Sequence, residues 1–252
     1  MSVVVDESLY LRGAATLLAS FAEYARGIGT ASVQRLGGVA AAVFPDWPER
    51  GVYNNALFDI GLAHAARAQA LDAMEAAYAR AGVERYAAWA HERDGAMRAD
   101  LEARGYRVDT TTRAMAMRLD ELTIPRPQLD LVALPWSEYL AVFGLPRGLL
   151  ARAAHPDLQV VVAAAGGRRV ATGMAYEHDG DCGIYNVTTL PHARRRGLGT
   201  AVTAHLLHEA RAHGCRTASL QSTAMAERVY AGVGFRDLGR FVEYVPPAGP
   251  RL

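Results

Sequence analysis

Apolar residues recur along this chain with two periods, three to four and two, and the switches between them divide it into elements. Leu11, Ala15, Leu18, Ala22 and Ala25 lie near one face of a helix predicted over 9–26, which Gly27 and Gly29 end. Extended runs over 31–44 turn at Gly37-Gly38, a hairpin signal, and the prolines and glycine of 45–51 read as a loop. The run 52–58 is extended again. Leu71, Met74 and Tyr78 sit at helical spacing in an Ala-rich stretch, 63–81, that Gly82 stops. A strand over 85–91, a short helix over 95–104 and a strand over 105–119 complete the first half.

Two prolines spaced by one residue, in Ile124-Pro125-Arg126-Pro127-Gln128, mark the best boundary in the chain. It divides a domain 1–123 from a domain 129–252. Beyond it, 129–134 reads as extended, and 135–143 and 149–154 as short helices. Trp136, Tyr139 and Phe143 are spaced as packed core residues, with an acceptor pocket as the second reading. Extended runs 157–165 and 168–176 join through Gly166-Gly167, and a second turn at 178–181 leads into a strand over 182–190. Leu198, Val202, Leu206 and Ala210 then recur every four residues, and Gly214 follows the last turn. The strand 216–221 comes next.

The candidate chemistry lies between the strand that ends at Pro191 and the helix that opens at Leu198. Arg194, Arg195 and Arg196 supply positive charge there, and Gly197 and Gly199 let a ligand approach the backbone. A helix start offers free N–H groups and the positive end of a dipole, so this order suits a phosphorylated ligand. No Lys follows the glycines, as a P-loop needs, and Val202 stands where a Rossmann fingerprint needs its third glycine. The bland alternative is a solvated basic turn before a surface helix.

Composition narrows this little. The chain has 252 residues, half of them apolar, and a net charge of +1, so its overall charge does not point to nucleic acid or an acidic membrane. Positive charge is carried by arginine rather than lysine, which reads as coding bias. Cys182 and Cys215 lack metal spacing and read as reduced, buried thiols. The N-terminal residues lack the pattern of a signal peptide, and no apolar run is long enough to span a membrane. A cytoplasmic protein is expected.

Filled by Arg194, Gly197 and Gly199, the loop reads R-x-x-G-x-G, and it resembles the pyrophosphate loop of the GCN5-related N-acetyltransferases, the GNAT superfamily. Further on, Thr223 to Phe235 resembles that family's N-x-x-A-x-x-[LV]-Y-x-x-x-G-F at Ala226, Val229, Tyr230, Gly234 and Phe235, with Thr223 in place of the leading Asn. The resemblance implies an α/β fold with a mixed sheet, the acyl-CoA N-acyltransferase fold, over 129–252. It implies direct transfer of an acetyl group from acetyl-CoA to an amine, with Thr189, Leu190, Arg194, Arg195, Arg196, Gly197, Leu198, Gly199 and Thr200 around the cofactor. It also implies Tyr230 as the acid for the leaving thiolate, and two strands that splay apart to receive the pantetheine arm.

The first half follows the same order of elements, and Leu101-Glu102-Ala103-Arg104-Gly105-Tyr106 resembles the family's late turn. Yet Asp59-Ile60-Gly61-Leu62-Ala63-His64 stands where the loop belongs, and Asp59 would repel a pyrophosphate. The expectation is two GNAT-like domains in tandem, the first degenerate and without coenzyme A. Tyr53, Asn54 and Asn55 stand where the two amides line a substrate cleft or fill a β-bulge or turn, the two readings being equal. A carbonyl donor is sought near Thr189 or Leu190, and Glu177, His178, Asn186 and Glu243 are weak candidates for a base. No metal is needed. The acceptor is a small-molecule or peptide amine, a homodimer stays open, and the rival reading is a non-catalytic acetyl-CoA sensor. Transfer of a longer acyl group, or to a hydroxyl, is a third.

Overall fold

The computed structural model describes residues 6–26, 28–47, 53–132, 139 and 158–247. In chain order the elements are α1 (Glu7–Arg26), β1 (Ser32–Arg35), β2 (Val39–Val43), β3 (Asn55–Phe58), α2 (His64–Arg80), β4 (Ala87–His91), α3 (Gly95–Ala103) and β5 (Arg107–Arg118). There follow β6 (Asp130–Val132), β7 (Leu158–Ala165), β8 (Arg168–His178), β9 (Asp181–Thr189), α4 (Leu198–Ala212), β10 (Thr217–Ser222), α5 (Glu227–Val233) and β11 (Arg236–Val245). The helices expected over 135–143 and 149–154, with Trp136 and Phe143, lie outside the described residues.

Two compact units emerge, and they interleave along the chain. One comprises Met1–Ser20 and Arg113–Leu238, the other Phe21–Thr112 and Gly239–Leu252. The units therefore do not divide at 124–128. That stretch belongs to the first unit, where the Ile124 carbonyl lies 2.9 Å from His208 Nε2 and Arg126 pairs with Glu209, both on α4. Prolines stop a helix, but hydrogen-bond partners decide which unit a segment joins.

In the first unit the strand order is β5-β10-β9-β8-β7-β6, with β10 parallel to β9 and the other pairings antiparallel. Alternation along β10 assigns its two faces. Ala218 and Leu220 join a core with Val202, Leu206, Leu207 and Ala210 of α4. Ser219, between them, lies against Gly13 of α1, where an added Cβ would stand 2.8 Å from the serine Cβ. The apolar face expected for α1 is corrected: Leu11 and Ala22 are exposed, while Thr16, Ser20 and Glu23 are buried with Leu17, Phe21 and Tyr24. A helix that buries polar groups defeats a reading based on apolar spacing.

In the second unit the order is β1-β2-β3-β4-β11, with β3 parallel to β4. Ala70, Leu71, Met74 and Tyr78 of α2 pack on Val39, Ala41, Ala56 and Ala88 of the sheet. The Asn54 carboxamide accepts from the Phe44 N–H at 2.8 Å and donates to the Trp47 carbonyl at 2.7 Å, while Asn55 accepts from the Trp89 indole at 3.1 Å. Both asparagines thus hold local structure. Asp94 caps α3 through the Met97 N–H and also accepts from the Gly61 N–H at 3.1 Å. A carboxylate of the chain itself therefore occupies a backbone donor in the loop before α2.

Each half of the sequence runs through an antiparallel meander, a helix, a parallel strand, a short helix and a last strand. The last strands are exchanged: Arg113 to Arg118 of β5 pair with β10, and Phe241 to Tyr244 of β11 pair with β4. A fragment 124–252 expressed alone would lose the partner of β10 and leave a bare central edge. It is expected to show no cooperative thermal transition by circular dichroism, whereas the full chain melts cooperatively.

Candidate active site

The site begins where β9 and β10 part. The two strands pair only at Asp181, Cys182 and Gly183, opposite Thr217, Ala218 and Ser219, yet β9 continues to Thr189 and β10 to Ser222. Asp181, almost fully buried, locks the paired end by accepting from Thr217 Oγ1 at 2.6 Å and Ser219 Oγ at 2.7 Å. Beyond it lies an open seam.

A bulge sets the groups along that seam. Met174 pairs with Tyr185 and Thr172 with Thr188, so Asn186 and Val187 together oppose Gly173. Asn186 takes the left-handed conformation, φ 52°, which Asn tolerates better than most residues. Gly173 is required by packing, since a Cβ there would meet Val202 Cγ1 of α4 at 2.6 Å. Past the bulge the Leu190 N–H turns to β8 and bonds the Val170 carbonyl at 2.9 Å. The backbone groups of the preceding Thr189 therefore face the opposite way, toward the seam. This leaves the Thr189 N–H, not that of Leu190, as the donor available there. The Thr189 carbonyl accepts from Arg194 Nε at 3.1 Å.

After a short 3-10 turn over Pro191–Ala193, the loop reaches α4 through two left-handed residues, Arg195 at φ 65° and Gly197 at φ 74°. Gly197 caps the helix without a side-chain bond, and its carbonyl accepts from the Ala201 N–H at 2.9 Å. The N–H groups of Leu198, Gly199 and Thr200 are thereby the first-turn donors that a helix cannot satisfy from within. All three arginine side chains are exposed. A Cβ at Gly199 would meet only Thr189 Oγ1 and Val187 Cγ1, each at 3.9 Å, so the helix start lies over the seam end of β9. Thr189 and the 194–200 loop are thus brought together.

Tyr230 lies on α5, which packs against α4. Its ring is buried and meets Phe235 edge-on, with centroids 5.9 Å apart. Burial pushes its hydroxyl up to about 12, so the proton stays on at neutral pH.

The weak base candidates are dispersed. Glu177 and His178 pair at the opposite end of the β8–β9 hairpin from Thr189, on the order of 25 Å away along the strand. Glu177 there accepts from His213 at 2.8 Å and from Gln159 at 3.1 Å. Glu243 belongs to the second unit and accepts from Thr112 Oγ1 at 3.2 Å. Asn186 stands on the bulge, and its side chain hydrogen-bonds the hydroxyl of Tyr139. That tyrosine is buried, as core packing requires, and also bonds Thr172. Sequence reading missed the bulge, although Gly173 inside a strand is its usual signal. It also missed Asp181 and Arg113, for which no local signal exists.

A parallel strand pair that parts beside a glycine-rich helix start, fed by antiparallel strands, defines the acyl-CoA N-acyltransferase fold. Residues 128–235 match the Acetyltransferase (GNAT) family. Among solved structures it is similar to a GCN5-related N-acetyltransferase from Kribbella flavida, at 20% identity and TM-score 0.67 over 94% of this chain and 96% of that one. It is also similar to a GCN5-related N-acetyltransferase from Sphaerobacter thermophilus, at 17% identity and TM-score 0.59 over 84% and 82%. A tandem GNAT protein from the clavulanic acid biosynthesis pathway aligns at 16% identity and TM-score 0.58 over 98% and 97%. None of the curated proteins matches the sequence.

Proposed function

We propose that the protein is an acetyl-CoA-dependent N-acetyltransferase that acts by direct transfer on a small-molecule or peptide amine. The observation that carries this reading is the open seam of β9 ending at the arginine and glycine loop of α4. The residues fit a pyrophosphate. Two left-handed residues present backbone N–H groups at a helix start, Gly199 leaves room above the strand, and three exposed arginines supply countercharge. Arg194 to Thr200 would hold the diphosphate, and the backbone of Val187 would pair with a pantetheine amide as an added strand does. Acetyl-CoA supplies, when bound, an activated thioester.

The chain's own groups then act in sequence. The Thr189 N–H donates to the carbonyl oxygen as negative charge builds on it. The neutral amine forms the new C–N bond as the C–S bond breaks, and the amine proton leaves through water. Tyr230 gives its hydroxyl proton to the departing sulfur, and the proton released from the amine through water restores the phenol. The second unit is read as a GNAT-like repeat without a coenzyme A site, since Asp94 already occupies the Gly61 N–H in the corresponding loop.

A thermal-shift titration tests the site. Binding to the folded state alone at about 100 times Kd stabilises by about 2.7 kcal/mol, or about 5 to 10 °C for a chain of this size. Acetyl-CoA and coenzyme A are expected to give that shift, and ATP none. Absence of a shift with either at millimolar concentration would remove the assignment. A shift without thiol release across a broad amine panel would favour the sensor.

A further inference from the structure

The helix that presents Tyr230 has seven residues, Glu227–Val233, too few to be stable alone. Its end is shaped by Gly234, at φ 120°, with the N–H groups of Gly234 and Phe235 donating to the Tyr230 carbonyl at 3.1 and 3.0 Å. At its start, Ala226 makes no side-chain cap. The start is held from outside. Arg113 of β5 stands opposite Ser222, the last residue of β10, where the chain leaves the sheet for this helix. Its Nε lies 2.8 Å from Glu227 Oε2, and its Nη1 donates to Asp237. The Arg113 and Glu227 side chains are each only 20% exposed, so solvent screens their pairing less than that of a surface pair.

One guanidinium therefore ties the first residue of the helix to the strand that follows it. We infer that Arg113 is a positioning residue for Tyr230: by bridging Glu227 and Asp237 it fixes both ends of the segment that carries the phenol. The inference rests on the reading of Tyr230 as the proton donor. A planar fork can serve two carboxylates at once, which a lysine ammonium does less well. Without the arginine, Glu227 and Asp237 are left as like charges at the two ends of the segment.

The test combines R113M, R113K and the milder E227Q in the full chain. Turnover is followed by thiol release with the best amine of the panel, or by thioester hydrolysis with water as acceptor. R113M is expected to lower kcat about 10- to 100-fold, as small misplacements of catalytic groups do. Acetyl-CoA affinity should be unchanged, hydrogen exchange should rise over 224–235 alone, and R113K should recover part of the rate. The double variant R113M/Y230F separates the two claims. If Arg113 acts through Tyr230, adding R113M to Y230F slows turnover no further. Full additivity, or wild-type kcat and exchange in both R113M and E227Q, overturns the positioning role. A loss of affinity and protection across the whole first unit also overturns it. Wild-type turnover in Y230F alone instead overturns Tyr230 as the donor.

Discussion

Replacing Tyr230 with phenylalanine is expected to lower kcat about 100-fold, the lower end of what a positioned general acid contributes. The phenyl ring keeps the contact with Phe235 and the place in the core, and only the hydroxyl is lost. The KM for acetyl-CoA should therefore hold while kcat falls, which steady-state thiol release will show. The pH profile sharpens this. Burial raises the Tyr230 hydroxyl to about 12, so it stays protonated, and able to donate, through any ordinary assay range. A rise of rate between about pH 7 and 9 then reports loss of the proton from the acceptor amine, and a fall assigned to Tyr230 comes only near pH 12. The linked effect on stability has the same sign. A phenol with a folded value above its unfolded value of about 10 adds stability below pH 10 that is lost as pH rises toward 12. A rate that collapses near pH 9 equally in the wild type and in Y230F would assign that limb to another group and contradict the assignment.

Replacing Gly199 with tryptophan is expected to abolish the thermal shift given by acetyl-CoA while leaving the protein folded. The position has no positive φ, and its first side-chain atom would make only ordinary contacts, at 3.9 Å, with Val187 and Thr189. Those contacts point the indole at the seam edge of β9, where the arm of the proposed cofactor would pass. Gly199→Ala is the control, because a methyl group fits the same space, and it should keep the wild-type shift. If the tryptophan variant melts as the wild type does and still shifts with acetyl-CoA, the cofactor does not lie over this helix start.

Much of this site was legible in the chain. Arg194, Gly197 and Gly199 mark a charged loop before a helix start, whose first N–H groups lack partners as a property of local geometry alone. Tyr230 was singled out only through the resemblance of 223–235 to a family motif, and the structure places it on a short helix. Other features were not. Leu190 and Thr189 are adjacent and chemically alike as backbone, and only the bond from the Leu190 N–H to Val170 decides which of them faces the seam. Glu177 and His178 follow a strand that runs toward the site region in sequence, but the antiparallel pairing puts them at its far end.

By itself the sequence determined the order of strands and helices, the charged glycine loop at a helix start, and the short helix bearing a tyrosine. Each of these depends on interactions within about a dozen residues. Tertiary structure alone decided that the last strands of the two halves are exchanged, that β9 and β10 pair for three residues and then part, and that Arg113 meets Glu227 and Asp237. The reason is range. A strand's hydrogen bonds are satisfied by any strand of suitable pattern, and a guanidinium by any carboxylate. The choice among such partners, here more than a hundred residues away for Arg113, is made by the packing of the whole unit.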